Sequence, residues 1–238
     1  MRRGLGYTLV FAMAVNVISL VISHTHSQFV RPSMGRWILL GGIVLAVASV
    51  VSVLWEPSSH EAPPDRGRAP IVAALLVVPL AALVIARPGS LGSYAAFRAS
   101  SVANISTRTS FAPMKVGPDG IADVTLLESW ERARSDKSQS LRKQPLRLVG
   151  FVVPDAASTV QNPSFLLSRF KIACCAADAL ILQVRVMTSQ SPVFARDQSV
   201  TVVGSYTGTQ KVLPLKFDAP VVRATAIERI GPPKDPYE

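Results

Sequence analysis

The chain has 238 residues, 49% of them apolar and 17% charged, too apolar for an ordinary soluble domain of this size. Two adjacent cysteines exclude a disulfide-stapled scaffold and leave the redox compartment unread. The net charge of +10 is dispersed, since 18 Lys and Arg are scattered without a cluster against 12 Asp and Glu after Pro88, which suits a surface beside anionic head groups better than one for nucleic acid.

The apolar excess lies before Pro88, in Leu5–Ile22, Trp37–Trp55 and Pro70–Ala86. The first two runs carry no charge and approach the roughly 20 residues that cross a hydrocarbon core, so both are expected to span. Arg2 and Arg3 ahead of the first run also fit a signal peptide, but the run is long and lacks a small-x-small cleavage site. The third run is shorter and contains Pro79, which removes one helical hydrogen bond, and is read as a third span. Asn16, Ser19, Ser49 and Ser52 are the notable polar residues in these runs and suit helix–helix hydrogen bonds. Arginines in the short loops favour an N-terminus inside, which after three crossings puts the remainder of the chain outside the cytoplasm.

Between the second and third runs, Pro57, Pro63 and Pro64 among Ser, Glu, Asp and Arg predict a flexible connector. From residue 89 to 120 the sequence is rich in Ser, Gly, Ala and Pro and is read as a tether. Thr125 and Glu128 then have capping-box spacing, and Leu126, Leu127, Trp130 and Ala133 recur at helical intervals, which predicts a short amphipathic helix. After it the period changes to two. Leu146–Val153, Phe165–Ile172, Leu180–Met187, Val200–Tyr206 and Val221–Ile230 are expected strands, with Gly150 expected to mark a bulge or sharp bend.

The most unusual stretch is Arg169-Phe170-Lys171-Ile172-Ala173-Cys174-Cys175-Ala176-Ala177-Asp178-Ala179. Adjacent cysteines on a regular strand point to opposite faces, so both reach one metal only if the chain turns, and Ala176 to Asp178 suggest a turn. Three readings stay open. Cys174, Cys175 and Asp178 could hold a thiophilic ion, Zn2+ or Cu(I), although the set is incomplete for a tetrahedral site. Cys174 could instead continue the inward face of Leu166, Phe170 and Ile172, because free cysteine is among the most buried residue types. Catalysis by a thiol would need a base that the sequence does not supply. His24 and His26 in the first loop could hold a metal transiently, but loop residues at a membrane edge account for them as well. Carboxylate pairs, Ser-His-Asp sets, P-loops and dinucleotide fingerprints are absent, so no enzymatic activity is expected.

Several of these residues also carry a resemblance. Phe29-Val30-Arg31-Pro32-Ser33-Met34, Pro79 with Arg87-Pro88-Gly89-Ser90-Leu91-Gly92, Gly150-Phe151-Val152, and Arg169 through Ala179 resemble the YcgQ-type family of bacterial membrane proteins. That family is described as permease subunits whose own biochemical role is not established. The resemblance implies a separate multi-span permease as partner. Many relatives carry a histidine-rich loop between the second and third spans, where this sequence has only His60, so a metal role falls to Cys174, Cys175 and Asp178.

The expected architecture is α+β, with N-terminal transmembrane helices in 1–88, a tether in 89–120, and a small all-β domain in 121–238, an OB-like (oligonucleotide/oligosaccharide-binding) five-stranded barrel. The expected role is a non-enzymatic accessory subunit: the helices sit in the lipid bilayer against a permease, and the barrel binds a ligand or partner. The alternative is a membrane-tethered protein that hands a thiophilic ion to that permease. A nucleic-acid-binding barrel would need exposed aromatics, for which Phe151, Phe170 and Tyr206 are the candidates, but strand parity places Phe170 inward.

Overall fold

A computed structural model describes residues 2–55, 91–98, 110–189, 194–212, 217–233 and 235–238. They fall into two compact units, Met1–Ser90 and Leu91–Glu238. The run Pro70–Ala86 and His60 lie outside the described residues.

The first unit contains helices α1 (Arg2–Ile22) and α2 (Gly35–Leu54), joined by 3-10 turns at Thr25–Gln28 and Pro32–Met34. The buried residues of α2 are Gly35, Gly42 and Ser49, seven apart and therefore on one face two turns at a time. Small residues are needed there, because a Cβ on Gly42 would lie 2.9 Å from Ile18 Cγ1 of α1. Ser49 satisfies its own hydroxyl by donating to Leu45 O at 2.7 Å. The opposite faces are apolar and exposed, as at Trp37, Val44 and Leu54. By length and composition, one helix among the described residues, Pro32–Leu54, is able to cross a membrane, and Val10–Ile22 is a shorter apolar helix.

The second unit starts at Leu91, so residues 91–98 and 110–120 of the expected tether are part of it. Its elements are α3 (Ser93–Arg98), β1 (Ala122–Asp123), α4 (Leu126–Ser135), β2 (Leu146–Pro154), β3 (Ser164–Lys171), β4 (Leu180–Met187), β5 (Ser199–Val212) and β6 (Phe217–Arg229). The capping residue is the expected one: Thr125 Oγ1 accepts from Glu128 N at 3.0 Å. A second acceptor comes from Glu238, whose side-chain carboxylate accepts from Leu126 N and Leu127 N at 2.9 and 2.8 Å. Trp130 Nε1 donates to Gln183 O at 2.7 Å and fixes α4 on β4.

The strands run in the order β1-β2-β3-β4-β6-β5, and β2 also pairs with β5, so β2 to β6 close into a five-stranded barrel. Closure depends on β2 serving two partners. Its first part pairs with β5 through Phe151↔Ser199, its last part pairs with β3 from Phe151↔Ser168 onward, and Phe151 belongs to both ladders. Gly150 stands at this changeover, but its pairing with Val200 is in register, so the expected bulge is not there. Its lack of a side chain serves close approach instead: a Cβ would lie 2.7 Å from Ser168 O. The irregularities of register are in the β5–β6 pair, at Val203/Gly204 and Tyr206/Gly208.

One face of β3 and β4 carries Phe165, Leu167, Val184 and Val186, and the other Leu166, Ser168, Phe170, Ile181, Gln183 and Arg185; both faces are buried. Of the polar members of the second face, Gln183 donates through Nε2 to Ser168 Oγ at 3.1 Å but leaves its Oε1 buried without a partner, while the charge of Arg185 is fully paired. Arg185 Nε donates to Asp155 Oδ2 at 2.8 Å and its Nη1 to Gln210 Oε1 at 2.9 Å, while Ser164 Oγ donates to the same Asp155 oxygen at 2.7 Å. A charge pair taken out of water in this way requires such completeness.

Candidate metal centre

The eight residues between Lys171 and Leu180, the last pair of the β3–β4 ladder, form the turn that holds both cysteines. Ile172 is still buried, but the strand has ended, and the alternation of sides ends with it. Cys174 is exposed and Cys175 is half-buried, which overturns the reading of Cys174 as a core residue on the face of Leu166 and Phe170.

Asp178 shapes the turn. Its Oδ1 accepts from Ala173 N at 2.9 Å, and its Oδ2 accepts from Cys174 N at 2.8 Å and Cys175 N at 3.4 Å. A 3-10 turn at Ala176–Asp178 closes the loop with a reciprocal capping box, in which Cys175 occupies the position usually held by Ser or Thr. Three backbone N–H groups thus hold one carboxylate beside two thiols.

The sulfurs of Cys174 and Cys175 are 3.7 Å apart. One ligand atom from each of Cys174, Cys175 and Asp178 lies within 4.8 Å of the others, and among the described residues these three form the single such group of His, Cys, Asp and Glu. The sequence-derived ligand set is therefore brought together by a local turn and nothing else. No ion is needed to hold it, because the capping bonds already do so.

The charges follow from this geometry. The neighbouring Cys174 thiol holds the Asp178 carboxyl down at about 2, with the backbone donors acting in the same direction. Reciprocally, the carboxylate and then the Cys175 sulfur push the Cys174 thiol up to about 11. Without a metal the site holds a protonated Cys174 thiol, donating to the Cys175 sulfur at 3.7 Å, beside the ionised carboxylate. A soft cation reverses that preference, since it replaces the proton and is attracted by the same negative charge.

The other candidates are placed differently. The rings of His24 and His26 are 6.2 Å apart, and no third ligand joins them among the described residues. Phe170 is buried, with Phe151 stacked on it at 5.8 Å, and Tyr206 lies under the guanidinium of Arg142 at 5.4 Å. These aromatics are engaged within the fold and offer no row of free faces to bases.

Sequence reasoning missed Asp155 and Arg185, which pair toward the end of the β3–β4 hairpin away from the turn, and Glu238, which caps α4 and lies along the end of β3 beside the turn. Asp155 and Arg185 are 30 residues apart in sequence, and no local pattern links an Asp after a strand to an Arg within another. Near the turn, Arg169 donates to Asp235 O, and Glu238 N donates to Phe170 O at 2.8 Å, so the tail lies along the end of β3.

Residues 132–238, which contain β2 to β6 and the cysteine turn, match the family described as DUF1980 C-terminal domain. No curated protein matches the chain. The matched family description assigns no function.

Proposed function

We propose that this chain is a membrane-anchored, non-enzymatic accessory subunit whose barrel binds a thiophilic metal ion at Cys174, Cys175 and Asp178 and presents it to an integral membrane permease. The observation that carries the reading is the convergence of two thiols and a carboxylate within 4.8 Å on an accessible turn. Binding is favoured over catalysis because the neighbour of the thiols is an ionised carboxylate that keeps Cys174 protonated, the opposite of what activates a nucleophile.

The barrel is of the OB type, supported by the closure order β2-β3-β4-β6-β5 and by the parallel pairing of β4 with β6 within an otherwise antiparallel ring. The membrane part of the proposal is supported by the exposed apolar faces of α2 and by three apolar runs in the sequence, the third of which adds a further span. An odd number of spans with the N-terminus inside places the barrel outside the cytoplasm. The permease enters through the family resemblance and through the lack of ionisable groups in the apolar runs, which makes them poor as a transport path by themselves.

The test is metal content of the full chain purified in mild detergent after exposure to Zn2+ or Cu(I), compared with the Cys174→Ser/Cys175→Ser double variant. About one ion per chain in the native protein and loss of it in the variant is expected. Equal metal content in both proteins would refute the reading. Copurification of a multi-span permease that depends on the helices tests the partner.

A further inference from the structure

Resting on the metal-binding reading, a finer assignment follows from the spacing of the ligand atoms. A tetrahedral centre with metal–sulfur bonds of about 2.3 Å holds two thiolates about 3.8 Å apart. The sulfurs of Cys174 and Cys175 are already 3.7 Å apart. Linear coordination by two thiolates, the arrangement open to Cu(I), would need a separation of about twice a metal–sulfur bond, ~4.6 Å. A carboxylate as third ligand also suits Zn2+ better than Cu(I), since oxygen donors are hard.

The carboxylate is oriented in advance. Backbone N–H groups of Ala173, Cys174 and Cys175 donate to the Asp178 oxygens. Oδ1 accepts one N–H and keeps a lone pair for a metal, whereas Oδ2 already accepts two, and the backbone donors act as the outer-shell partners that fix the ligand in place.

Three protein ligands leave a tetrahedral ion one position short. Among the described residues no fourth His, Cys, Asp or Glu joins the group, and the turn faces solvent at Cys174. Structural zinc sites are closed by four protein ligands, whereas sites that exchange a ligand keep one position open. We propose that the turn binds Zn2+ through Cys174, Cys175 and Asp178, with the fourth position held by water until a nitrogen or sulfur donor of the receiving partner replaces it. The incoming donor forms its bond to zinc as the water leaves, and no electron is transferred. The site is then a point of transfer, with its exposed edge as the docking point.

The experiment uses Co2+ as a coloured stand-in for Zn2+ in the full chain in detergent micelles, with free imidazole as the model for the partner's donor. The expected result is one Co2+ per chain, a tetrahedral visible spectrum with thiolate-to-cobalt charge transfer, displacement by Zn2+, and a saturable spectral change on adding imidazole. Asp178→Asn, which keeps an acceptor for the turn, should weaken Zn2+ binding at least about tenfold. Near-ultraviolet circular dichroism of that variant shows whether the barrel is retained. If it is lost, Asp178→Glu provides the readout, since it keeps the charge and displaces the oxygen.

The outcomes separate the two claims. Cu(I) bound through both cysteines with no Zn2+ or Co2+ binding overturns the zinc assignment and leaves the metal-binding reading intact. One metal per two chains with an all-thiolate spectrum, or a cobalt spectrum indifferent to imidazole, overturns the open position in the same way. Failure to bind any thiophilic ion removes both.

Discussion

The strands β3 and β4 and the turn that joins them are neighbours in sequence and opposites in chemistry. The strands are buried on both faces, and their buried charge, Arg185, is paired with Asp155 at 2.8 Å. The turn exposes a sulfur and depends on no side chain beyond its own residues. The difference teaches that this hairpin separates rigidity from reactivity: the strands carry stability, and the turn is free to carry a ligand set. Substitutions in one should therefore leave the other's property nearly unchanged.

The largest expected effect breaks the strand side. Arg185→Ala leaves Asp155 buried without its partner and should destabilise the barrel by about 3–5 kcal/mol, read as a shift in the denaturant midpoint. If the loss is well below 1 kcal/mol, the two-faced burial of β3 and β4 is not what stabilises them. Next is Gly204→Ala, whose Cβ would clash with Arg223 O, a backbone atom that cannot rotate aside. Overpacking of this kind costs about 1–3 kcal/mol. Trp130→Phe removes the donor to Gln183 O and should cost about 1–2 kcal/mol by the same measurement.

On the turn side the stability change should be smallest and the ligand effect largest. Cys174→Ser at an exposed position is expected to change stability by no more than about 0.5 kcal/mol while abolishing metal binding. A destabilisation like that of Arg185→Ala would mean that the turn and strands are not independent. Zinc affinity should also rise with pH. Cys174, pushed up to about 11, must give up its proton to bind, so its contribution alone strengthens binding about tenfold per pH unit below that value. Asp178, held down at about 2, is ionised near and above neutral pH and adds no slope of its own there. Isothermal titration in buffers of different ionisation enthalpy counts the protons released.

Much of the barrel was legible because alternating apolar residues and clusters of Pro, Asp, Ser and Gly mark strands and their ends. Thr125 and Glu128 gave the start of α4 for the same kind of reason, a local interaction with a fixed spacing. β5 and β6 extend further than the alternation suggested, to Val212 and from Phe217, because Thr209, Gln210 and Lys211 are exposed and give no apolar signal. The parity argument failed at Cys174 because alternation holds only while the strand continues, and Asp178 draws the chain off the ladder after Lys171. Metal-ligand chemistry was readable from residue type; the fact that two adjacent cysteines can face one point depended on that turn. The Asp155–Arg185 pair had no local signature at all, since pairing across 30 residues is a property of the closed sheet.

The double service of β2 has a further consequence, for the order in which the barrel assembles. Leu146 meets its β5 partner Gly204 across 58 residues, whereas Lys171 meets Leu180 across nine. Short loops close before long ones, and contacts of large sequence separation slow folding. These separations predict that the β3–β4 hairpin with its thiols forms while the ring is still open and that β5 closes on β2 last. The interval between those two events is when the cysteines meet their surroundings without a finished barrel behind them. Encounter with an ion or with an oxidising partner in that interval is settled by kinetics, before the finished fold has any say.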